Sequence, residues 1–147
     1  MMNPNDGFRE LGRQECLDRL GAAAIGRVVH TRDALPAVLP VNFSLDAESA
    51  VVLRTPADSE LARSIDGVVV AFEADAVDAA AHSGWSVVVT GRARVVDDPA
   101  EHDRLARTGP RSWVASPHDV FIRIASELVT GRELVGGISL YGIDLRS

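Results

Sequence analysis

The stretch VVLRTPADSELARSI at residues 51–65 organises the rest of this chain. Residues 51–54 alternate between two faces, a period of two that predicts a β-strand. Pro56 ends the strand, because proline has no N–H to donate to a neighbouring strand. Asp58 and Ser59 are both favourable N-cap residues, so a helix is expected to begin directly after the turn.

The same turn carries chemical groups that suit an anion. Arg54, Thr55 and Ser59 supply a guanidinium and two hydroxyl groups beside the helix start. Such a set, together with backbone N–H groups, suits a phosphate. The alternative is that Ser59 simply caps the helix and the turn binds nothing. Glu60 favours this alternative, because a carboxylate in the first helical turn already offsets the helix dipole and would repel a phosphate.

The composition is that of one ordinary globular domain spanning residues 1–147, with residues 1–8 expected to be loose. Hydrophobic residues make up 46% and charged residues 24% of the 147 residues. The formal net charge is −6, and all 15 basic residues are arginine, without a basic cluster. Nucleic acid is therefore not expected as a partner. No apolar run approaches the roughly 18 residues of a membrane helix, and no signal core is present. A cytoplasmic protein that makes no membrane contact is expected.

The remaining pattern predicts short strands joined mostly as antiparallel hairpins. Strands are expected at residues 25–31, 36–45, 67–75, 85–96, 120–124 and 127–135. Helices are expected at residues 13–20, where Gly21 ends the helix, after Ser59, and at residues 100–106. Most connections are too short for parallel crossovers. The chain is therefore expected to be mainly β with short α: a six- to seven-stranded antiparallel β-barrel, closed or split, with helices at its ends. The glycine-rich tail at residues 136–147 receives no assignment.

Several kinds of site chemistry have no support in the sequence. The four histidines are scattered, and Cys16 is the single cysteine, so neither a metal site nor a disulfide is expected. There is no nucleophile elbow, P-loop or dinucleotide-binding glycine motif. Asn42 is the unusual residue of the second strand, a polar amide among apolar neighbours. It either bonds a nearby loop or faces a ligand.

Taken in order, six segments resemble the split-barrel flavin-binding family typified by pyridoxamine 5′-phosphate oxidase, and most closely its short actinobacterial single-domain members. The segments are GRVVHT, LPVNFSLD, VVLRTPADSELA, VVVAFEAD, GWSVVVTGRARVVDDP and VTGRELV, which together cover residues 12–135. The resemblance implies a split-barrel homodimer that binds FMN in a groove between its subunits. It also implies hydride or electron transfer at the flavin, with the protein supplying position and electrostatics.

The resemblance further implies six cofactor-binding residues. These are Asn42 beside the isoalloxazine ring, Arg54, Thr55 and Ser59 at the ribityl phosphate, and Trp85 and Ser86 at the start of the long strand. Trp85 has the alternative role of a core aromatic at the barrel end. No catalytic residue is assigned, and whether the chain is an enzyme stays open.

One residue departs from the family pattern. Members that bind FMN commonly carry Lys directly after the Ser of this stretch, where this chain has Glu60. Either Arg63 or an arginine of a partner subunit compensates, or FMN binding is weak or lost. The leading interpretation is an FMN-dependent oxidoreductase of unknown substrate. The alternatives are a deazaflavin-dependent reductase and a non-catalytic ligand-binding or sensing barrel that has lost the phosphate site. The tail does not match the substrate-binding residues of the oxidase, so that specific reaction is not expected.

Overall fold

The computed structural model of the protein describes residues 7–112 and 117–135, which form eight strands and three helices. The strands are β1 Phe8–Leu11, β2 Ile25–Arg32, β3 Leu35–Leu45, β4 Val51–Pro56, β5 Val69–Asp78, β6 Ser83–Val95, β7 Asp119–Ile124 and β8 Leu128–Leu134. The helices are α1 Arg13–Ala22, α2 Glu60–Ser64 and α3 Pro99–Thr108. Predictions for residues 1–6, for loop residues 113–116 and for the tail at 136–147 lie outside the described residues.

Six of these strands close into an antiparallel barrel in the order β2–β3–β4–β7–β6–β5, with β5 pairing back to β2. Strand β8 adds to the outer edge of β6, and β1 adds to β8. All strand pairs among the described residues are antiparallel, as the short hairpin connections require. The predicted mainly β antiparallel barrel with short helices is confirmed, with two further strands outside the closed barrel.

Two local predictions were wrong at the ends of elements. Residues 1–8 were expected to be loose, but Phe8 begins β1 and pairs with Leu134, while the Arg132 guanidinium lies 4.3 Å from its ring centre. Gly21 was expected to end the first helix, but α1 continues to Ala22. Its cap, Ala23, donates its backbone N–H to the helix in an extended conformation, so no left-handed glycine is needed.

The core fills the barrel, because strand residues alternate between an inner apolar face and an outer face. Helix α2 closes one end of the barrel with Leu61, and Ile65 follows it into the same core. Gly91 lies where β6 exchanges β8 for β7 as its partner. A Cβ atom at Gly91 would lie 1.7 Å from the Ala125 carbonyl oxygen, so the close approach of the two backbones requires glycine there.

The outer face of the barrel is covered on one side and open on the other. Helix α3 covers β4 and β7 through a small apolar cluster of Val52, Val96, Leu105 and Phe121. The opposite side, made by β2, β3, β5, β6 and β8, carries exposed aliphatic side chains. These include Val38, Val69 and Leu128. No helix within the described residues is long and apolar enough to cross a membrane.

Candidate functional site

Thr55 and Ser59 form the centre of the turn between β4 and α2. The Thr55 hydroxyl donates to Ser59 Oγ at 3.0 Å, and Ser59 Oγ also accepts the Ala62 backbone N–H at 3.0 Å. Ser59 is therefore the N-cap that the sequence predicts. Its oxygen accepts twice, and its own proton remains to be donated. Thr55 is buried on the inner face of β4.

Arg54 points to the opposite face of β4, because successive strand residues alternate. Its Nε donates to Asp119 Oδ2 at 2.8 Å, and its guanidinium lies 5.2 Å from the centre of the Phe121 ring. The Asp119 side chain is 6% exposed, and its second oxygen, Oδ1, is buried without a hydrogen-bond partner in the described part of the chain. The Asp119 backbone carbonyl lies 3.2 Å from His102 Nε2 of α3. The structure thus joins Thr55 to Ser59 and places Arg54 in a separate ion pair.

Glu60 lies between two arginines at the start of α2. Its carboxylate is 2.9 Å from Arg63 Nη2 and 3.4 Å from Arg32 Nε. Arg63 also donates to the Asp58 carbonyl at 2.8 Å, which holds it across the turn. The hydrogen bond from Arg63 lowers the pKa of Glu60, and the positive charge of Arg32 lowers it further. The two arginines therefore offset the charge of Glu60 at the start of α2.

Asn42 lies on the outer face of β3, beside Arg54. Phe43, the next residue, pairs with Leu53. The same antiparallel register places Asn42 opposite Arg54. The Asn42 side-chain amide donates to the Arg111 backbone carbonyl, in the segment after α3. This is the loop-bonding role that the sequence left open, and it holds the amide at the same edge as Arg54.

Trp85 and Ser86 lie on β6, on opposite faces. Trp85 is partly buried and packs against the main core, and it borders two cavities of about 440 Å³ each. Ser86 points outward, since Val87 beside it is fully buried on the inner face. Ser86 pairs with Asp75 of β5 and with Arg132 of β8.

The six predicted residues therefore fall into two groups. Asn42, Arg54, Thr55 and Ser59 share one edge, whereas Trp85 and Ser86 lie on the far side of β2 and β5. Three spacings between neighbouring strands separate Ser86 from Asn42, a path of roughly 14 Å along the outer face. Of the six residues, Asn42, Arg54 and Ser86 lie on that outer face, whereas Thr55 and Trp85 point to the inner face.

The outer face between these groups carries an ion cluster on β2 and β5. Arg27 Nη1 contacts Glu73 Oε1 at 2.9 Å and Asp75 Oδ2 at 3.0 Å. Desolvation and the neighbouring Asp75 carboxyl raise the pKa of Glu73, although Arg27 opposes the shift. Within residues 7–112 and 117–135, no three His, Cys, Asp or Glu side chains are grouped in a way that could hold a metal ion.

Sequence reasoning missed several of these charged groups. Asp119 and Arg32 carry no local signal, because their partners are distant in sequence. The spacing of Glu73 and Asp75 is such a signal, since residues two apart on a strand share a face. Both follow apolar residues in the run VVVAFEAD, so their outward position could have been predicted.

Comparison with known proteins gives one family. A family model described as "Pyridoxamine 5'-phosphate oxidase" matches residues 12–133. An uncharacterized protein of Mycobacterium tuberculosis is 41% identical over 137 residues, covering 86% of this chain and 85% of the relative.

Solved structures give the same likeness. The structure of an FAD binding protein from Mycobacterium smegmatis is similar with a TM-score of 0.77 and 33% identity, over 88% of this chain and 100% of that one. A conserved protein of unknown function from Corynebacterium diphtheriae has a TM-score of 0.75 and 33% identity, again over 88% of this chain and 100% of that one.

Proposed function

The chain belongs to the pyridoxamine 5′-phosphate oxidase family, and we propose that it binds a flavin nucleotide, FMN, on the outer face of its barrel. In this proposal it acts as a flavin-dependent oxidoreductase on a small substrate. A bound flavin would supply hydride or electron transfer, and the protein would supply position and electrostatics. The similar Mycobacterium smegmatis structure, named as an FAD binding protein, supports a flavin as the ligand class.

The observation that carries the proposal is the placement of Asn42 beside Arg54 on the outer face, with Ser59 in the turn that follows β4. Asn42 and Arg54 are neighbours across β3 and β4, and Ser59 follows β4 directly. Asp119 binds Arg54 through Nε, which fixes the guanidinium plane and directs the Nη groups as phosphate donors. The Ser59 hydroxyl proton adds a further donor. These groups fit a phosphate, with Arg54 as its main cation.

The rest of the flavin would extend from this edge across β2 and β5 toward Ser86. The path of roughly 14 Å between Asn42 and Ser86 suits an extended tricyclic ring with its side chain. The orphan oxygen of Asp119 is an acceptor beside Arg54.

A homodimer is part of the proposal. The open outer face carries exposed Val38, Val69 and Leu128, which lie further along the same strands than the proposed ring position. Large exposed aliphatic side chains on one face are consistent with an interaction surface. A second copy on this face would cover the ring and turn an open surface into a groove.

A second candidate function is a non-catalytic ligand-binding barrel, which the charges near the phosphate edge favour. Asp119 partly neutralises Arg54, and Glu60 places a carboxylate one residue after Ser59. If these charges prevent phosphate binding, the barrel would bind an uncharged ligand instead.

The test is a fluorescence titration of the purified protein with FMN, with FAD and, in parallel, with a deazaflavin cofactor. Saturable binding of FMN at micromolar or lower concentration is expected. Stronger binding of the deazaflavin would indicate a deazaflavin-dependent reductase that uses the same site. Failure of all three ligands to bind would overturn the proposal in favour of the non-catalytic barrel.

A further inference from the structure

The outer face between Asn42 and Ser86 carries more negative than positive charge. Glu73 and Asp75, here called the carboxyl pair, share one cation, since the same Nη1 atom of Arg27 contacts both at 2.9 and 3.0 Å. With both carboxyls ionised the cluster carries a net charge of −1. A partly desolvated surface disfavours such an excess charge, so the cluster favours one additional proton.

The burial of the carboxyl pair supports this reading. The side chains of Glu73 and Asp75 are 26% and 30% exposed, and both lie on the outer face because Phe72 and Ala74 are buried. Carboxyls two residues apart on a strand are close neighbours on one face. Desolvation and the hydrogen bond to Asp75 raise the pKa of Glu73, and Arg27 does not reverse that direction.

Few charged side chains of the neighbouring strands face the carboxyl pair. From β2, Arg27 faces it directly. From β6, the register partners are Val88 and Ser86, which do not titrate. From β8, Arg132 lies opposite Ser86, one strand further away, with its guanidinium stacked on Phe8. The two arginines oppose the uptake of a proton, whereas burial and the second carboxyl favour it.

We propose that the carboxyl pair holds one shared proton and donates it in a hydrogen bond to the ring of a flavin bound between Asn42 and Ser86. The inference rests on the proposed function and assigns that site a residue pair. An ionised carboxylate is only an acceptor, whereas a protonated carboxyl has an O–H to donate. Flavin rings carry nitrogen and carbonyl acceptors, so the protonated pair is the complementary form. Arg27 orients both carboxyls and limits the cluster to one proton.

The shared proton is tested first without any ligand, by following the carboxyl carbon of Glu73 with NMR while the pH is raised. In the wild-type protein Glu73 is expected to titrate above the ordinary range of glutamate. In Asp75→Asn the second negative charge is gone, so the titration should move back toward that range. Asp103→Asn, an exposed carboxylate of α3 far from the pair, is the matched control and should leave it unchanged. An ordinary titration of Glu73 in the wild type overturns the shared proton.

The donor role is tested by measuring FMN affinity as a function of pH in the wild type and in Glu73→Gln. Gln keeps an N–H donor and loses the titration. Affinity of the wild type should fall severalfold as the pH rises through the titration of Glu73, and Glu73→Gln should lose that part of the fall. Ionisation of the FMN phosphate affects both proteins equally and cancels in the comparison. Asp103→Asn should behave as the wild type.

The outcomes separate the two proposals. Flavin binding with the same pH response in wild type and Glu73→Gln overturns the donor role and leaves the proposed function standing. Absence of flavin binding at every pH overturns the proposed function and the donor role together, while the NMR titration still decides whether the proton is shared.

Discussion

Two arginine–aspartate pairs near α3 have nearly the same geometry and very different surroundings. Arg123 Nε lies 2.7 Å from Asp46 Oδ2, and Arg54 Nε lies 2.8 Å from Asp119 Oδ2. Each pair joins strands that are distant in sequence. They differ in what happens to the other carboxylate oxygen.

The oxygens of Asp46 are fully used. Oδ1 accepts the backbone N–H groups of Glu48 and Ala50, each at 2.9 Å, and Oδ2 accepts from Arg123. Burial alone would raise the pKa of Asp46, but these three hydrogen bonds lower it below its ordinary value. This carboxylate closes the turn between β3 and β4, so its role is structural.

Asp119 is more buried and less satisfied. Its side chain is 6% exposed, and Oδ1 has no hydrogen-bond partner among the described residues. A buried acceptor left unpaired costs stability, which a protein tolerates most readily at a binding site. The comparison teaches that two ion pairs of the same geometry differ in stability when every oxygen is bonded in one and a buried oxygen is left unpaired in the other.

The largest expected effect comes from removing Arg54. Arg54→Ala leaves Asp119 buried without a cation and should lower the free energy of unfolding by about 3 kcal/mol. FMN affinity should fall at least tenfold, because the main phosphate cation is lost. Urea unfolding and an FMN titration measure the two effects. Arg123→Ala is the matched control and should cost less, since Asp46 keeps two backbone N–H partners. Equal losses of stability in the two variants would contradict the expected difference between the two ion pairs.

The next effect concerns Asp46. Asp46→Asn should cost about 2 kcal/mol at neutral pH, because three hydrogen bonds to a charged group weaken. The pKa of Asp46 is lowered by folding, so its contribution is present above the unfolded-state pKa and disappears as the pH falls through the folded value. The difference between wild type and variant in urea unfolding should therefore vanish in acid. Asp119→Asn should cost less at neutral pH, and a larger cost than that of Asp46→Asn would contradict the structural assignment.

A third variant tests whether the phosphate edge is correctly located. Glu60→Lys removes the carboxylate that Arg32 and Arg63 now bind and adds a cation next to Ser59. FMN affinity should rise at least tenfold at low salt, and the gain should shrink at high salt because exposed charges are screened. The exposed variant Glu48→Lys, beside Asp46, is the control and should not change affinity. An unchanged affinity in Glu60→Lys would place the phosphate elsewhere.

The smallest expected effect concerns two turns. Ala34, in the turn between β2 and β3, has φ of 64°. Ser49, in the turn between β3 and β4, has φ of 63°. Ala34→Gly should stabilise the protein by about 1 kcal/mol, because a left-handed conformation strains alanine and not glycine. Ser49→Gly should gain less, since the same turn is already held by the hydrogen bonds of Asp46. Thermal unfolding compares the two, and a larger gain at Ser49 would reverse the expected order.

Much of the fold could be predicted from local patterns. The strand at residues 51–56 and its Ser59 cap follow from alternation and capping, and the antiparallel barrel follows from short connections. The end of α1 and the start of β1 could not be predicted. Both depend on contacts made elsewhere in the chain, such as the pairing of Phe8 with Leu134.

The candidate site was predicted less completely. Residues 51–59 indicated a guanidinium and two hydroxyls, and the structure shows them divided between two faces of β4. Alternation alone could have separated Arg54 from Thr55. The partners of Arg54 and Glu60 could not be found in the same way, because Asp119 and Arg32 carry no local signal.

The sequence by itself determined most of the strands and the Ser59 cap, because these depend on residues within a few positions of one another. Only the tertiary structure decided which charges meet. Arg54 and Asp119 are 65 residues apart, and Asp46 and Arg123 are 77 apart. Such pairs form only when closure of the barrel brings the strands into register, and their energies depend on the burial that this closure creates.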